Sequence, residues 1–285
     1  MAKVQISSRN FIDAATTSLS GGSWAAPLSN LKNRRLSSTA RSTDADLAST
    51  IIDIDLGPNP EPANIFAIIR PNWTSLQDAW RLTAGTSRGS SNRYDSDWQT
   101  GFPRVYTLAD RPFETENWWF GALASWELEA YPKDVMWPLP DMVTARWWRL
   151  EIDMQAAPYV EIGRLWLGQS WRPTRNMERD SLRYEDLSEA QESLGGVQFF
   201  DVRPKRRVYS FSLPNLTEEE GYGDALDLQR RVGITGDVIV LPDADDTVRG
   251  HKRNFYGRLR QLDALERAGQ RFGLASTSYT IEELL

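Results

Sequence analysis

The sequence of 285 residues contains no cysteine and only one histidine, His251. The lack of cysteine excludes disulfide bonds, zinc sites with thiolate ligands and cysteine nucleophiles. A single histidine excludes a metal site with two imidazole ligands and leaves one candidate base for a Ser-His-Asp triad. No glycine-rich loop of the Walker or dinucleotide-binding type occurs. These absences leave hydrolysis by paired carboxylates as the one common enzyme chemistry that the composition allows. We expect no catalytic residue, no metal ion and no cofactor, and we do not expect an enzyme.

Long hydrophobic runs and an excess of positive charge are also missing. No stretch approaches the roughly 18 to 20 consecutive apolar residues of a membrane helix. Residues 1–22 lack the basic start and apolar run of a secretory signal peptide. The formal net charge is −6, whereas a nucleic-acid binder needs a basic face. The sequence predicts a globular protein made inside a cell, with neither membrane insertion nor a nucleic-acid partner.

Tryptophan is unevenly distributed along the chain. All 12 tryptophans lie between Trp24 and Trp171, and none follows. A polar stretch comes next and ends at a pair of glycines. This change in composition predicts two domains, 1–171 and 196–285, joined by a linker over 172–195.

The first domain is predicted to be rich in β-strands. Its short segments alternate apolar and polar residues or are continuously apolar, and turn residues bound them. Several such strands with Gly and Pro between them indicate a β-sandwich. The stretch at about 86–140, rich in Trp, Pro, Ser and Asp, is predicted as an insertion because it is too long for a simple loop. The predicted strands cover 51–56, 64–69, 79–84, 147–153 and 160–168.

The second domain combines strands with one helix. Thr217 and Glu220 have the Ser/Thr-x-x-Glu spacing of a capping box. Apolar residues follow at helical spacing, and Gly233 stands where the helix should stop. This order predicts a small antiparallel sheet with one crossing helix, so the fold class is mainly β. The predicted strands cover 209–213, 237–241, 254–259 and 278–282.

Several segments of the first domain resemble a known family. The sequence LSSTARS at 36–42 is followed by IIDIDLG at 51–57, and the late strands read WWRLEI at 147–152 and YVEIGRLWLG at 159–168. These segments are similar to the opening and closing halves of galactose-binding-like (discoidin-type) jelly rolls. The resemblance implies a jelly-roll β-sandwich without a catalytic signature.

The second domain resembles a different group of proteins. RRVYSFSLPNLTEEE at 206–220, DVIVLPD at 237–243, FYGRL at 255–259 and IEEL at 281–284 are similar to segments of the sheet-and-helix domains of siphophage tail-tip proteins. Distal tail (baseplate hub) proteins pair such a ring-forming domain with a galactose-binding-like one. The resemblance implies a structural protein of the virion, located at the phage tail tip and made in the host cytoplasm. It also implies a homo-oligomeric ring of six copies, or alternatively three, that contacts tail-tube and hub or tip proteins.

Five tryptophans of the first domain are candidate contact residues. An exposed indole can stack on a sugar ring, but Trp is also enriched at protein interfaces. One interpretation is packing within the fold or against a neighbouring subunit. The other is a carbohydrate-binding module that attaches a particle to cell-surface glycans, although the fold alone does not imply lectin activity. The five residues are Trp98, Trp118, Trp119, Trp126 and Trp137.

One basic cluster lies where a strand of the second domain is predicted to begin. It is a candidate basic interface, and the alternative interpretation is a solvated or salt-bridged strand edge. The cluster comprises Arg203, Lys205, Arg206 and Arg207.

Three further patterns allow narrower interpretations. Glu127 and Glu129 share one face of any strand that contains them, and a glycosidase places its carboxylates roughly 5 to 9.5 Å apart. Two carboxylates on a solvated strand are nevertheless common. The acidic turn at 243–246 could bind Ca²⁺, but it lacks the glycine and distal glutamate of an EF-hand loop, so a solvated turn is expected. His251 is expected in an exposed loop, without an assigned role.

Overall fold

A computed structural model describes residues 3–75, 77–101, 133–193, 195–246, 250–267 and 274–285. Most of the predicted insertion lies outside these residues, including Trp118, Trp119, Trp126 and the pair Glu127 and Glu129. Within the described ranges, no helix is long and apolar enough to cross a membrane.

The described strands of the first part of the chain, up to residue 171, are short and antiparallel. Single helical turns at Phe11–Asp13 and Leu28–Lys32 join some of them. The strands are β1 (Gln5–Asn10), β2 (Ser18–Ser20), β3 (Trp24–Ala26), β4 (Ala40–Ser42), β5 (Ile52–Asp55), β6 (Ala63–Ile69), β7 (Ala79–Gly85), β8 (Tyr94–Asp95), β9 (Gln99–Thr100), β10 (Val135–Val143), β11 (Trp147–Asp153), β12 (Glu161–Ile162) and β13 (Arg164–Trp171).

Two sheets of the first part form a sandwich. One has the order β10-β6-β13-β1, and the other has the order β2-β5-β11-β7-β8, with β9 also paired to β7. A small third sheet joins β12, β4 and β3. The ends of the predicted insertion belong to this sandwich, because β8 and β9 pair with β7 and β10 pairs with β6. The prediction of a mainly β sandwich is confirmed.

Alternation along the strands explains why the two sheets pack. In β11, Trp148, Leu150 and Ile152 are buried, whereas the residues between them are half-buried. Since successive side chains point to opposite faces of a strand, this pattern supplies one apolar face. Trp73 and Trp80 are also at most 1% exposed in the same core. Several of the tryptophans thus fill the sandwich and are not available to a ligand.

The second part of the chain, from residue 172, contains longer strands and two short helices. The helices are α1 (Leu226–Val232) and α2 (Gly250–Arg253), and wider helical turns at Glu220–Ala225 precede α1. The strands are β14 (Arg179–Glu185), β15 (Glu189–Glu192), β16 (Gln198–Asp201), β17 (Arg206–Leu216), β18 (Asp237–Leu241), β19 (Phe255–Leu259), β20 (Glu266–Arg267) and β21 (Ala275–Glu283).

The helix that leads into α1 begins and ends as the sequence predicts. The Glu220 N–H donates to Thr217 Oγ1 at 3.2 Å, and the Thr217 N–H donates to Glu220 Oε2 at 3.1 Å. This reciprocal pair is a capping box. At the other end, Gly233 has a φ of 56°, and its N–H donates to the Gln229 carbonyl. Glycine is favoured there because other residues rarely adopt a positive φ.

A single sheet runs through both parts of the chain. Strand β1 pairs with β13 on one side and with β18 on the other, so the order continues as β1-β18-β19-β21-β17-β14. Gly168 permits the close approach of β13 to β1, because a Cβ at this position would lie 2.2 Å from the Arg9 carbonyl oxygen. The N-terminal strand therefore connects the two predicted domains through backbone hydrogen bonds.

A buried ionic cluster lies beneath this junction. Arg164 is fully buried and contacts the carboxylates of Asp13 at 2.6 Å and Asp237 at 2.7 Å. Asp237 also accepts a hydrogen bond from the Tyr256 hydroxyl at 2.9 Å. Because Arg164 and Asp13 belong to the first part and Asp237 and Tyr256 to the second, the cluster ties the two parts together.

The stretch 172–195, predicted as a linker, contains two strands in the structure. Strand β14 makes a seven-residue ladder with β17, from Arg179 opposite Ser212 to Glu185 opposite Arg206. Strand β15 pairs with β16. The polar composition that suggested a linker instead reflects exposure, since nearly every residue of β14 and β15 is exposed.

Candidate functional site

Among the residues that the structure describes, the most exposed structured segment is a hairpin that we call the arm, residues 186–205. It continues the β14–β17 hairpin and ends in the β15–β16 pair. Every described residue from 189 to 205 is exposed. The arm nevertheless carries large apolar side chains. Val197, Phe199, Phe200 and Val202 are 56%, 62%, 63% and 80% exposed, and Leu187 at the base of the arm is 37% exposed.

The tip of the arm is a compact turn that fixes the register of its strands. The Ser193 N–H donates to the Val197 carbonyl at 2.8 Å, and the Gly196 N–H donates to the Ser193 carbonyl at 2.9 Å. Gly196 has a φ of 78°, a conformation that glycine adopts readily. The arm is therefore an ordered hairpin and presents its side chains in a defined pattern.

The arm presents an aromatic ring on each of its two faces. Phe200 lies opposite Ala190, and Phe199 lies opposite Gln191. Because neighbouring residues of a strand point to opposite faces, the two rings project in opposite directions. An isolated two-stranded hairpin is only marginally stable in water. An exposed aromatic ring on each face is typical of a segment that another surface covers from both sides.

The two edges of the long sheet differ in their capacity to pair with another strand. At one edge, β10 contains Pro138 and Pro140, and its register with β6 shifts after Pro138. Proline and bulges block further pairing. At the other edge, β14 contains no proline and has one strand neighbour among the described residues. Leu182 and Tyr184 of β14 are 42% and 58% exposed.

The basic cluster lies at the base of the arm, and each of its members has an acidic partner within the chain. Arg203 contacts Asp201 and Glu189, and Lys205 lies 3.8 Å from Asp186. Among the described residues, the cluster is thus a set of ion pairs. It does not form a patch of uncompensated positive charge.

The remaining two members of the cluster show the same compensation. Arg206 contacts Glu185 at 2.7 Å and Glu282 at 3.0 Å. Arg207 is 2% exposed and forms a bidentate pair with Glu283. Burial of Arg207 makes it a structural residue of the sheet.

Two of the five candidate tryptophans are described, and their environments differ. Trp137 lies in β10, donates from Nε1 to the Tyr94 hydroxyl at 2.9 Å and packs edge-on against Trp80. Trp98 is 44% exposed and follows Asp97, whose φ is 53°. The structure therefore leaves Trp98 as the exposed member of this pair, and Trp118, Trp119 and Trp126 lie outside the described residues.

Trp98 has polar neighbours along the chain that are held in place by hydrogen bonds. Arg81 donates to both oxygens of Asp95, from Nε at 3.0 Å and from Nη2 at 2.5 Å. Side-chain hydrogen bonds from Arg81 lower the pKa of Asp95 despite its partial burial. The Asp97 N–H donates to Asp95 Oδ1 at 3.0 Å. An exposed indole near fixed charged groups is compatible with stacking on a sugar ring.

A wide groove of about 1190 Å³ lies at the junction of the two parts. Its wall includes Arg70, Asp134, Arg207 and Glu283. The Arg70 N–H donates to Asp134 Oδ1 at 2.7 Å, and Arg70 has a φ of 53°. Burial raises the pKa of Asp134 to about 6, with a further rise from Glu283, although the Arg70 hydrogen bond opposes it.

The other patterns noted in the sequence do not form sites among the described residues. No group of three or more potential metal ligands is present there, and in the acidic turn the Asp245 N–H donates to Asp243 Oδ1.

His251 lies half-buried in α2, where a loop was expected. A further pattern that was not considered in the sequence is Gly85-Thr86-Ser87-Arg88-Gly89, which has the Gly-x-Ser-x-Gly spacing. It spans the end of β7 and the loop to β8, whereas a nucleophile elbow joins a strand to a helix.

The arm was not predicted from the sequence, although a signal for it was present. Two short segments with apolar residues flank Gly195-Gly196, and glycine between such segments indicates a hairpin. The first segment, Glu189–Glu192, is mostly polar, so it was included in the linker. A strand that is exposed on both faces lacks the alternation that identifies a half-buried strand.

Comparisons with known proteins identify similar folds only. No protein-family model matches the sequence, and no curated protein matches it. Among solved structures, the module CpGH89CBM32-6 from Clostridium perfringens is similar, with 11% identity and a TM-score of 0.33; the match covers 56% of this chain and 99% of the module. A Streptococcus pneumoniae fucose binding module matches with 10% identity and a TM-score of 0.35, covering 57% of this chain and 96% of that module.

A third similar structure is the lectin binding domain of lectinolysin in complex with Lewis b. It has 10% identity and a TM-score of 0.36, and the match covers 58% of this chain and 99% of that domain. The chain is thus distantly similar to galactose-binding-like jelly rolls of the CBM32 type. At this level of identity the likeness concerns the fold alone, so arguments about function must rest on residues of this chain.

Proposed function

We propose that this protein is a structural component of a tailed-phage tail tip and that it assembles through the arm into a closed homo-oligomer. The proposal of self-association rests on the arm, which is an ordered hairpin with an exposed phenylalanine on each face. Full burial of a Val or Phe side chain stabilises by about 1.5–3 kcal/mol. Covering the exposed apolar residues of the arm therefore offers a large gain, from which the cost of association is subtracted.

The tail-tip assignment rests on the sequence resemblance of the second part to siphophage distal tail proteins. In this proposal the protein is made in the host cytoplasm, is incorporated at the tail tip, and connects the tail tube to hub or tip proteins. Closed symmetry is the usual form of homo-oligomers, and six copies are expected, with three as the alternative. The role requires no catalysis, cofactor or metal.

The assembly is tested by changing the two aromatic residues of the arm. We expect the wild-type chain to elute as a hexamer or trimer in size-exclusion chromatography with light scattering. The variant Phe199→Ser/Phe200→Ser should be a folded monomer, because both faces of the arm lose their apolar ring. Leu262→Ser is the control, since Leu262 is 51% exposed but lies outside the arm. A monomeric wild-type chain, or an unaffected double variant, would overturn the proposal.

The location is tested by imaging phage particles with gold-labelled antibodies against this chain. Label confined to the distal end of the tail is the expected result. Label that is absent from intact particles but present on cell-surface material would contradict the tail-tip assignment.

A second candidate function is binding of a cell-surface glycan as a carbohydrate-binding module. The exposed indole of Trp98, close in sequence to the Arg81–Asp95 pair, is the observation that favours it. Similar solved structures include a fucose binding module and a lectin domain bound to Lewis b, but their similarity is too remote to support a ligand for this chain. Stacking on the exposed face of one indole would hold a sugar ring.

A glycan array distinguishes this second function. Trp98→Ala should abolish any retention of fluorescently labelled protein on the array. Tyr222→Ala is the matched control, because Tyr222 is a similarly exposed aromatic residue, at 46%, in the second part of the chain. If no glycan retains the wild-type protein, or if both variants bind like the wild type, Trp98 is not a sugar platform.

A further inference from the structure

A groove between the two parts of the chain has an apolar floor. It lies where β1 and β13 meet the helix α1 and has a volume of about 390 Å³. Ile6 and Leu228 are buried in its floor, Trp171 is half-buried, and Met142 is 51% exposed at its side. The groove thus offers apolar contact to a segment of protein that enters it.

One arginine of the groove has no carboxylate partner among the described residues. The lining includes Arg9, Arg172 and Arg231, together with Asp224. Arg9 and Arg231 pair with the carboxylates of Glu61 and Asp227. Arg172 differs from them, because it donates to the neutral Gln5 side chain at 3.3 Å. Arg172 is therefore the residue of the groove that a carboxylate of an entering segment could pair with.

The residues that line the groove offer an entering segment both apolar contact and one guanidinium without a carboxylate partner in the described ranges. A carboxylate of that segment would pair with Arg172.

The arm has the matching composition. Its acidic residues outnumber its basic ones, and Arg203 and Lys205 pair with Asp201, Glu189 and Asp186. Glu192 remains without a basic partner among the described residues, and it lies near the tip, opposite Gln198. The same tip carries the exposed Phe199 and Phe200. An unpaired carboxylate on the same tip as two exposed aromatic rings complements an apolar groove with an unpaired arginine.

We propose that the groove at Trp171 and Arg172 receives the arm of a second copy of this chain, with Glu192 of the arm paired to Arg172. This inference rests on the proposed function and deepens it, since it assigns the receptor surface for the arm. Insertion of the tip would place an exposed phenylalanine of the arm against the apolar floor of the groove. The contact is head-to-tail, because arm and groove are different surfaces. Repetition of such a contact closes into a ring when the rotation permits.

A charge exchange within one chain tests the proposed pair. Glu192→Arg and Arg172→Glu should each weaken self-association at least about tenfold, because each places like charges together at every interface. The double variant Glu192→Arg/Arg172→Glu should regain most of the loss, since every interface then joins an arm Arg to a groove Glu. The control double variant Glu192→Arg/Arg183→Glu, which alters an exposed arginine of β14, should not regain it. Dissociation constants come from sedimentation-velocity titrations, with circular dichroism to verify folding.

A mixing experiment supplies an independent readout. The arm variant Phe199→Ser/Phe200→Ser retains the groove, and the groove variant Met142→Glu/Arg172→Glu retains the arm. Each should be monomeric alone, whereas an equimolar mixture should form a heterodimer with one productive contact. No heterodimer in the mixture would overturn the assignment of the groove.

The failure of this inference is distinguishable from the failure of the proposed function. If the wild type does not self-associate, the assembly proposal itself is wrong. If the wild type assembles and the arm variant does not, but Arg172→Glu assembles as the wild type does, the arm is an interface and the groove is not its receptor. Rescue by the charge exchange is the result that supports the groove.

Discussion

Asp134 shows how one residue combines backbone strain, burial and charge. Its carboxylate accepts the N–H of Arg70, which has a φ of 53°, a conformation that costs energy for a residue with a Cβ. Burial and the nearby Glu283 raise the pKa of Asp134 to about 6 from its ordinary value of 3.8. The charged form is therefore penalised in the folded state.

The raised pKa of Asp134 predicts a pH dependence of stability. The folded state binds a proton at Asp134 more tightly than the unfolded state does, so this contribution to stability is complete below pH 4 and is lost as the pH rises to about 6. A shift of two units corresponds to about 3 kcal/mol at most. Because Asp134 is only half-buried, we expect about 1–2 kcal/mol.

Comparison of the wild type with Asp134→Asn isolates this effect. Asparagine keeps an oxygen that accepts the Arg70 N–H but does not titrate. Urea unfolding at pH 4.5 and pH 7.5 should therefore show the wild type losing stability relative to the variant at the higher pH. Contributions from all other groups cancel in the difference. A difference that stays constant between the two pH values would show that Asp134 is not perturbed.

At the scale of elements, strands with one buried face could be predicted from the sequence. The alternation of β11 and the apolar run of β18 gave bounds of 147–153 and 237–241, which the structure reproduces. The capping box and Gly233 predicted where the helix begins and ends, because the contacts of each are made within one turn of the chain. Elements of this kind carry their own signal.

Other elements could not be predicted, because their pattern depends on distant parts of the chain. Strand β1 is buried on both faces between β13 and β18, and β14 and the arm are exposed on both faces. Neither case produces the alternation of a half-buried strand. The groove proposed to receive the arm was also invisible in the sequence, since Ile6, Trp171 and Leu228 come from three distant segments.

At the scale of the whole molecule, the two predicted domains share a sheet and a core. Trp166 and Ile65 of the first part pack with Ile239 and Tyr256 of the second in one buried cluster. The ionic cluster around Arg164 lies beside them, since Tyr256 and Asp237 are joined by a hydrogen bond. A boundary placed at 172–195 by composition therefore does not coincide with a break in packing or in hydrogen bonding.

The shared sheet and the buried cluster predict a single unfolding transition that depends on Arg164. Replacing Arg164 with Met should lower the free energy of unfolding by about 3 kcal/mol, because the buried carboxylate of Asp237 would lose its buried cation and keep the exposed Arg34 at 3.3 Å. Arg146→Met is the matched control. Its pair with Asp55 is 45% exposed on the arginine side, and exposed pairs contribute about 0–1 kcal/mol.

Two probes separate the parts of the chain during unfolding. Tryptophan fluorescence reports mainly on the first part, because no tryptophan follows Trp171, although Trp166 and Trp171 also contact the second part. Hydrogen exchange followed by mass spectrometry reports on β17, β18 and β19 of the second part. Coincident transitions for the wild type, shifted together in Arg164→Met, would establish one cooperative unit. One transition is expected because β1 supplies backbone hydrogen bonds to both parts. Separate transitions would show that the two parts unfold independently. Equal effects of Arg164→Met and Arg146→Met would show that the buried cluster does not stabilise the junction.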